Sequence, residues 1–288
     1  MFKKGDRVRH PGRPDWDLGQ VLEDSADGKV KVRFAVGGEK QISLSHVRLE
    51  KVEGAEARHP LLDNLKAKKS GRRAVTTTLR DLIYRFRQMY PGDDPFSTEA
   101  YLADERRYKI EAHEEMVNQL NRAELGRLLA DGSYEEVCVR ARRVVNKTNL
   151  LSQYESIDLH DGLKTPEGQK LFAESLFGLL YGEGEKEGRF DSFAKALGVI
   201  NAAKWTTATY FPFITFPEAE MYMKPLATQE AADACGFELN YRPEPNWLTY
   251  RCLLDFGRHV REELNREGLA PKDMIDVQSF VWCVRTVP

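Results

Sequence analysis

The amino-acid sequence predicts an α+β protein with three parts. These are a five-stranded β-barrel over residues 1–53, a basic linker over 54–76, and a mainly α-helical domain over 77–288 with a small β element near 205–225. Three observations predict this order. Short alternating segments lie between turn residues at the N-terminus, cations cluster in the linker, and apolar residues recur at helical spacing after residue 77.

Five short segments of the first part have the composition of β-strands: residues 6–10, 18–23, 29–34, 40–44 and 47–49. The third reads K-V-K-V-R-F, so that cations alternate with apolar side chains as in a strand with one buried face. Asp27-Gly28 and Gly37-Gly38 are typical of hairpin turns. Because so short a sheet would have exposed edges, we expect it to roll into a barrel.

Residues 5–11 read G-D-R-V-R-H-P, residues 16–21 read W-D-L-G-Q-V, and a V-x-F strand and a final V-x-L follow. This pattern resembles a bacterial SH3-like (Tudor-like) module of the CarD-like kind over residues 2–52. Asp17 stands where that pattern usually has glycine. Related modules occur in RNA-polymerase-binding regulators, a polymerase-recycling ATPase and a repair helicase, and several contact RNA polymerase instead of DNA. The resemblance therefore implies a docking function, by analogy of fold.

Four residues of the barrel are predicted to bind a partner: Arg9, Trp16, Arg33 and Arg48. Trp16 lies in a loop that contains prolines, where its indole has two alternative roles. It is either an exposed contact for a partner or a side chain that packs across the end of the barrel.

The linker is the most basic part of the chain. Residues 55–90 carry nine Lys and Arg against three Asp and Glu, whereas the whole chain has a net charge of −2. The residues after 90 therefore form an acidic body. The predicted nucleic-acid-binding residues are Lys66, Lys68, Lys69, Arg72 and Arg73, which would contact the phosphate backbone. An ordinary solvated linker has the same composition.

Helix-start signals recur through the rest of the chain: Thr78, Ser97 or Thr98, a capping box at Ser133–Glu136, Thr165-Pro166 and Asn246. An apolar terminal element extends through Val284. Residues 205–225 differ, because their β-branched and aromatic side chains favour a strand and their three prolines confine it to a sheet edge.

No motif for catalysis is evident, and neither a metal nor a cofactor is predicted. The chain has no Walker A loop, no G-x-S-x-G turn and no G-x-G-x-x-G after a strand. The four cysteines are distant from one another, which favours buried reduced thiols over a zinc site.

Two groups of polar residues are the available enzyme candidates. Glu218, Glu220 and Lys224 would suit Mg²⁺-dependent nuclease chemistry, and Asp158, His160 and Asp161 would suit a catalytic or metal site. Their alternatives are an exposed turn and a polar loop, respectively. Trp247, Tyr250 and Trp282 are predicted to pack in the core, or else to line a pocket with Lys224, Arg242 and Arg251 at its rim.

The sequence thus favours a non-enzymatic, cytoplasmic adaptor of transcription or DNA-processing machinery, whose barrel docks on RNA polymerase or a nucleic-acid complex. The alternatives are a nuclease-like or nucleotide-processing defence enzyme with the barrel as its targeting module, and a structural or toxin-neutralising partner. The N-terminus lacks the apolar run of a signal peptide, and no apolar stretch is long enough to span a membrane.

Overall fold

The chain divides into two compact units, Met1–Lys68 and Lys69–Pro288. The computed structural model describes residues 1–66 and 77–285. Within these ranges, the first unit contains the β-sheet and the second contains helices. The predicted α+β class is therefore confirmed.

The first unit is built on a five-stranded antiparallel sheet with the order β4-β3-β2-β1-β5. Its strands are β1 (Arg7–Arg9), β2 (Gly19–Val21), β3 (Lys29–Phe34), β4 (Gly38–Ser43) and β5 (Glu50–Val52). β5 begins after the predicted segment 47–49, because Leu49 enters the core just before the strand pairs with β1.

The alternation in β3 explains how this sheet buries one face. Val30, Val32 and Phe34 are buried, while the cations between them lie on the other face. Asp27 and Gly28 both have positive φ, as a tight hairpin turn requires, and β3 then pairs with β4 along its full length.

The core of the first unit joins strands that are not neighbours. Val8 of β1 and Ile42 of β4 belong to one apolar cluster with Val21 and Phe34, although two strands separate β1 from β4 in the sheet. This arrangement is that of a curved, barrel-like sheet.

A short helix, α1 (Pro60–Asp63), packs on a second, smaller cluster, where its Leu62 meets Leu18 and Ala35. The residues predicted as the start of the linker thus contain a short helix with buried side chains.

The described part of the second unit, residues 77–285, contains twelve helices. They are α2 (Leu79–Met89), α3 (Glu99–Tyr101), α4 (Arg107–Leu120), α5 (Arg122–Ala130), α6 (Tyr134–Val145), α7 (Gln153–Gly162), α8 (Pro166–Tyr181), α9 (Lys186–Val199), α10 (Trp205–Thr215), α11 (Pro225–Cys235), α12 (Trp247–Arg266) and α13 (Met274–Cys283). A π-helical turn, Leu102–Arg106, joins α3 to α4. No helix among the described residues has both the length and the apolar character needed to cross a membrane.

The predicted β element at 205–225 is wrong. Residues 205–215 form α10, which is buried on every side and contains Pro212. Local preference for strand is overridden here because a helix that packs on all faces gains from large apolar side chains whatever their intrinsic propensity. Residues 216–224 follow as an irregular segment.

Most predicted helix starts have the expected cap. Thr78 forms a capping box with Asp81, Thr165 accepts from the Gly168 amide, and Asn246 accepts from the Thr249 amide. The predicted capping box at Ser133 is wrong. Helix α6 begins at Tyr134 as expected, but Ser133 lacks the extended backbone that a cap needs, and its side chain makes no cap hydrogen bond.

Candidate functional site

Trp16 lies over one end of the first unit's core. Its indole is half-buried and packs against His10 and Phe34, with ring centroids 5.0 and 5.2 Å away. The Trp16 carbonyl accepts hydrogen bonds from the amides of Val36 and Gly37. The indole therefore packs across the end of the barrel-like sheet, while its predicted role as a contact for a partner stays a prediction.

Gly37 makes this packing possible. A Cβ atom at Gly37 would lie 2.6 Å from Cγ of Trp16, closer than real contacts allow. The adjacent Gly38 has positive φ, and a Cβ there would lie 4.0 Å from an Arg33 guanidinium nitrogen. Trp16 and Arg33 therefore flank the same two-glycine turn.

Two further cations approach the indole. The Arg13 guanidinium lies 4.6 Å and the Lys40 ammonium 5.5 Å from the Trp16 ring centroid, both within range of a cation–π interaction. We refer to Arg13, Trp16, Arg33 and Lys40 together as the tryptophan surface.

The cations of the tryptophan surface differ in their partners. Arg13 binds both carboxylate oxygens of Asp15, at 2.9 and 2.7 Å. Arg33 and Lys40 form no ion pair within residues 1–66 and 77–285. Nε of Arg33 is buried without a hydrogen-bond acceptor in the same part of the chain. Two positive charges are therefore available to an incoming group.

The structure brings together two of the four residues predicted to bind a partner, Trp16 and Arg33. Arg9 is exposed and lies 3.3 Å from Glu56, and Arg48 is exposed in the loop before β5. Arg13 and Lys40 were missed by the sequence reasoning. Their positions in the sequence could have identified them, because Arg13 precedes Trp16 by one helical turn and Lys40 follows the Gly37-Gly38 hairpin.

Of the predicted nucleic-acid-binding residues, Lys66 is half-buried at the end of the first described range. The others lie outside the described residues: Lys68, Lys69, Arg72 and Arg73.

The nuclease-type residues of the second unit have separate partners. Glu220 is buried, pairs with Lys186 and accepts a hydrogen bond of 2.5 Å from the Tyr250 hydroxyl. Glu218 is exposed, 4.0 Å from Arg261. The Lys224 ammonium lies 6.0 Å from the Trp282 ring centroid, and burial lowers its pKa.

The second group, near the end of α7, forms local surface contacts. The Asp161 carboxylate lies 2.6 Å from Lys164 Nζ and 3.5 Å from His160 Nδ1, and the bond from Lys164 lowers the pKa of Asp161. Asp158 takes part in neither contact. In the described residues, no three His, Cys, Asp or Glu side chains are grouped to hold a metal ion.

The predicted aromatic residues belong to two places. Tyr250 stacks on Phe190 at 4.1 Å and contacts Trp247, inside the core. Trp282 lies instead under the Arg285 guanidinium, 3.6 Å from its ring centroid. Two of the residues predicted at the rim of an aromatic pocket, Arg242 and Arg251, also have different surroundings. The Arg242 carbonyl accepts from Trp205 Nε1, and Arg251 is exposed.

A buried network of charged side chains, missed at the sequence level, surrounds the π-helical turn. Lys109 is fully buried, and its ammonium donates to Glu105 at 2.9 Å, Gln278 at 2.9 Å and Ser279 at 2.8 Å. Burial lowers the pKa of Lys109, which is the expected direction for a desolvated amine. The sequence could have indicated the burial of Lys109, because Lys109 lies on the same face of its helix as the buried Ala112.

The network continues to the start of α13. Arg106 bonds to Asp273 and Asp276, each at 2.6 Å, and the Tyr101 hydroxyl donates to Asp276 at 2.5 Å. Burial raises the pKa of Asp276. Since each charge is enclosed by protein partners, we assign this network a structural role: it fixes α13 to the α3–α4 helix.

The fold and its surfaces define a protein with a small β-barrel-like module ahead of a helical domain. The module carries a half-buried tryptophan beside two cations, Arg33 and Lys40, that form no ion pair in the described parts of the chain. Residues 2–52 match the family described as a protein of unknown function (DUF3553). Neither the curated proteins nor the solved structures contain a match to the chain.

Proposed function

We propose that this protein is a non-enzymatic adaptor. It binds a component of the transcription or DNA-processing machinery, such as RNA polymerase, through its N-terminal unit, and it acts in the cytoplasm. The observation that carries this proposal is the tryptophan surface. A rigid aromatic side chain beside unpaired cations has the composition of an energetically important protein contact.

The placement of the enzyme candidates supports an adaptor over a nuclease. A nuclease needs carboxylates that converge on a metal ion and a water molecule. Both carboxylate oxygens of Glu220 already have partners, Lys186 and Tyr250, while Glu218 is exposed beside Arg261. Because Glu218 and Glu220 have separate protein partners, we favour the adaptor over the nuclease alternative.

The test compares two variants of the full-length chain. Val32→Asp buries a carboxylate in the core of the first unit and unfolds that unit, whereas Lys29→Asp places the same carboxylate on an exposed position of the same strand. Tagged proteins would be purified from the native host after nuclease treatment, and polymerase subunits and DNA-processing proteins quantified by mass spectrometry.

We expect the wild type and Lys29→Asp to retain these proteins and Val32→Asp to lose them. Circular dichroism should show that the helical signal of Val32→Asp is preserved. Equal recovery of the same proteins by Val32→Asp would contradict the proposed function.

A further inference from the structure

Two unpaired cations flank the turn on which Trp16 packs. Lys40 lies over the indole and Arg33 beside Gly38. Neither forms an ion pair among residues 1–66 and 77–285, although Glu39 stands opposite Arg33 in the β3–β4 pairing. The buried Nε of Arg33 also lacks an acceptor in those residues. A carboxylate brought to this turn would pair with the exposed Lys40 and with the part of the Arg33 guanidinium that is not buried, through charge-assisted hydrogen bonds.

The indole is already fixed before any partner arrives. It is held between His10, Phe34 and Gly37, so that binding would cost little side-chain entropy. An aliphatic side chain next to the carboxylate would find a preformed apolar surface there. The geometry therefore suits a segment in which acidic and apolar residues are close together.

The charges near Trp16 favour a protein ligand over a nucleic acid. The cations Arg13, Arg33 and Lys40 are interspersed with three acids, Asp15, Asp17 and Glu39. Nucleic-acid affinity depends on neutralising several phosphates with a net excess of cations. Arg33 and Lys40, the two cations of this surface that form no ion pair within residues 1–66 and 77–285, do not provide that excess, whereas they can complement one or two carboxylates.

We propose that the tryptophan surface binds a short acidic–apolar segment of a partner protein, with Lys40 and Arg33 pairing to its carboxylates and Trp16 contacting its apolar side chain. This inference rests on the proposed adaptor function and specifies the chemistry of its partner.

The experiment uses the full chain labelled with fluorotryptophan and ¹⁹F NMR. The chain has four tryptophans, and a Trp16→Phe variant assigns the Trp16 signal. The two probes are a short Glu-rich peptide with a central Leu and a short duplex DNA, each titrated at physiological salt.

We expect the peptide to shift the Trp16 signal and to leave the other three tryptophan signals in place. The double variant Lys40→Glu, Arg33→Glu should weaken peptide binding by about tenfold or more, because it reverses two charges at the contact. Lys29→Glu is the matched control. It lies at the opposite end of β3 from Phe34, and we expect the affinity to stay within about twofold of the wild type, as for a charge outside the contact.

Three results would overturn the inference. These are a Trp16 signal that the peptide does not shift, an equal loss of affinity in Lys29→Glu, and a Trp16 shift produced by DNA at lower concentration than by the peptide. The last result would assign the surface to nucleic acid.

The same double variant separates this inference from the proposed function. If Val32→Asp loses the host machinery but Lys40→Glu, Arg33→Glu retains it, the adaptor function stands and the tryptophan surface is not its contact. If Val32→Asp retains the machinery, the adaptor function fails, and the peptide titration alone decides the chemistry of the surface.

Discussion

The two units of the chain place their charged side chains in opposite ways. The main core of the first unit consists of Val, Ile, Leu and Phe side chains, and the cations of its tryptophan surface remain outside. The second unit encloses charges instead: Lys109 and Asp276 have no exposed surface, and Glu220 is buried. A buried charge is tolerated only with partners. Buried charges are therefore part of the framework in the second unit, whereas the first unit keeps Arg33 and Lys40 outside its core and without an ion pair in the described residues.

Among the variants considered below, removal of the buried Lys109 should lower the free energy of unfolding the most. Lys109→Ala leaves Glu105 without its buried cation, and we expect it to lower the free energy of unfolding by about 3–5 kcal/mol. Urea unfolding followed by circular dichroism measures this. Lys170→Ala is the control, because Lys170 is exposed and 3.9 Å from Glu174, and it should cost under about 0.5 kcal/mol. Similar losses in both variants would show that the buried network does not hold the second unit together.

The second largest loss of stability is expected in the first unit, at the contact between Gly37 and Trp16. Gly37→Ala places a methyl group against the Trp16 ring and should cost about 1–3 kcal/mol, as overpacking does. The ¹⁹F signal of Trp16 should move at the same time. Gly12→Ala is the control in the neighbouring loop, because its Cβ would lie an ordinary 3.5 Å from His10. An unchanged Trp16 signal in Gly37→Ala would mean that Gly37 does not position the indole.

Two serines before helices of the second unit give a smaller, matched comparison. Ser152 forms a capping box with Glu155 at the start of α7, so Ser152→Ala should cost about 1 kcal/mol. Ser133→Ala should change the free energy of unfolding by only about a few tenths of a kcal/mol, because its hydroxyl makes no cap bond. Thermal or urea unfolding of both variants tests the difference, and equal losses would contradict the assigned caps.

The smallest effect is the pH dependence of a surface cluster in the second unit. Hydrogen bonds from Arg127 and Arg140 lower the pKa of Glu124 from 4.5 to about 2. The unfolded chain then takes up a proton at higher pH than the folded chain does. This contribution to stability is present above pH 4.5 and is lost as the pH falls towards about 2.

In Glu124→Gln, the free energy of unfolding should therefore fall less steeply as the pH is lowered from 4.5 to about 2. Unfolding midpoints measured across the range check this, and a limb as steep as that of the wild type would exclude Glu124 as a source of the acid sensitivity.

The sequence predicted the features that depend on local order. Alternation identified β3, Asp27-Gly28 identified a hairpin, and Thr78 and Asn246 marked helix starts, because each signal lies within a few residues of its effect. The predicted strand at 205–225 failed since burial of α10 on all sides outweighs the strand preference of its side chains.

The sites were harder to predict, because their contacts join distant parts of the chain. Arg106 and Asp273 are 167 residues apart, and no spacing rule connects them. Trp16 was predicted as a candidate contact, but its close packing against Gly37 joins two loops that no spacing rule connects. The two cations near the Trp16 ring are Arg13, in the preceding loop, and Lys40, in β4. Lys40 is 24 residues from Trp16 in the sequence, so local sequence patterns do not predict its contact with the ring.

The π-helical turn between α3 and α4 has a consequence for helical phase. Tyr101 and Lys109 both contact α13, yet eight residues of regular α-helix would set them about 80° apart around the axis. The wider turn at Leu102–Arg106 absorbs this excess rotation, so that both side chains face the same neighbour. Deleting one residue from this turn would leave seven steps of regular α-helix between these two side chains, which sets them only about 20° apart, so that both would still face α13. An alignment of related helical domains should therefore allow a gap of one residue here.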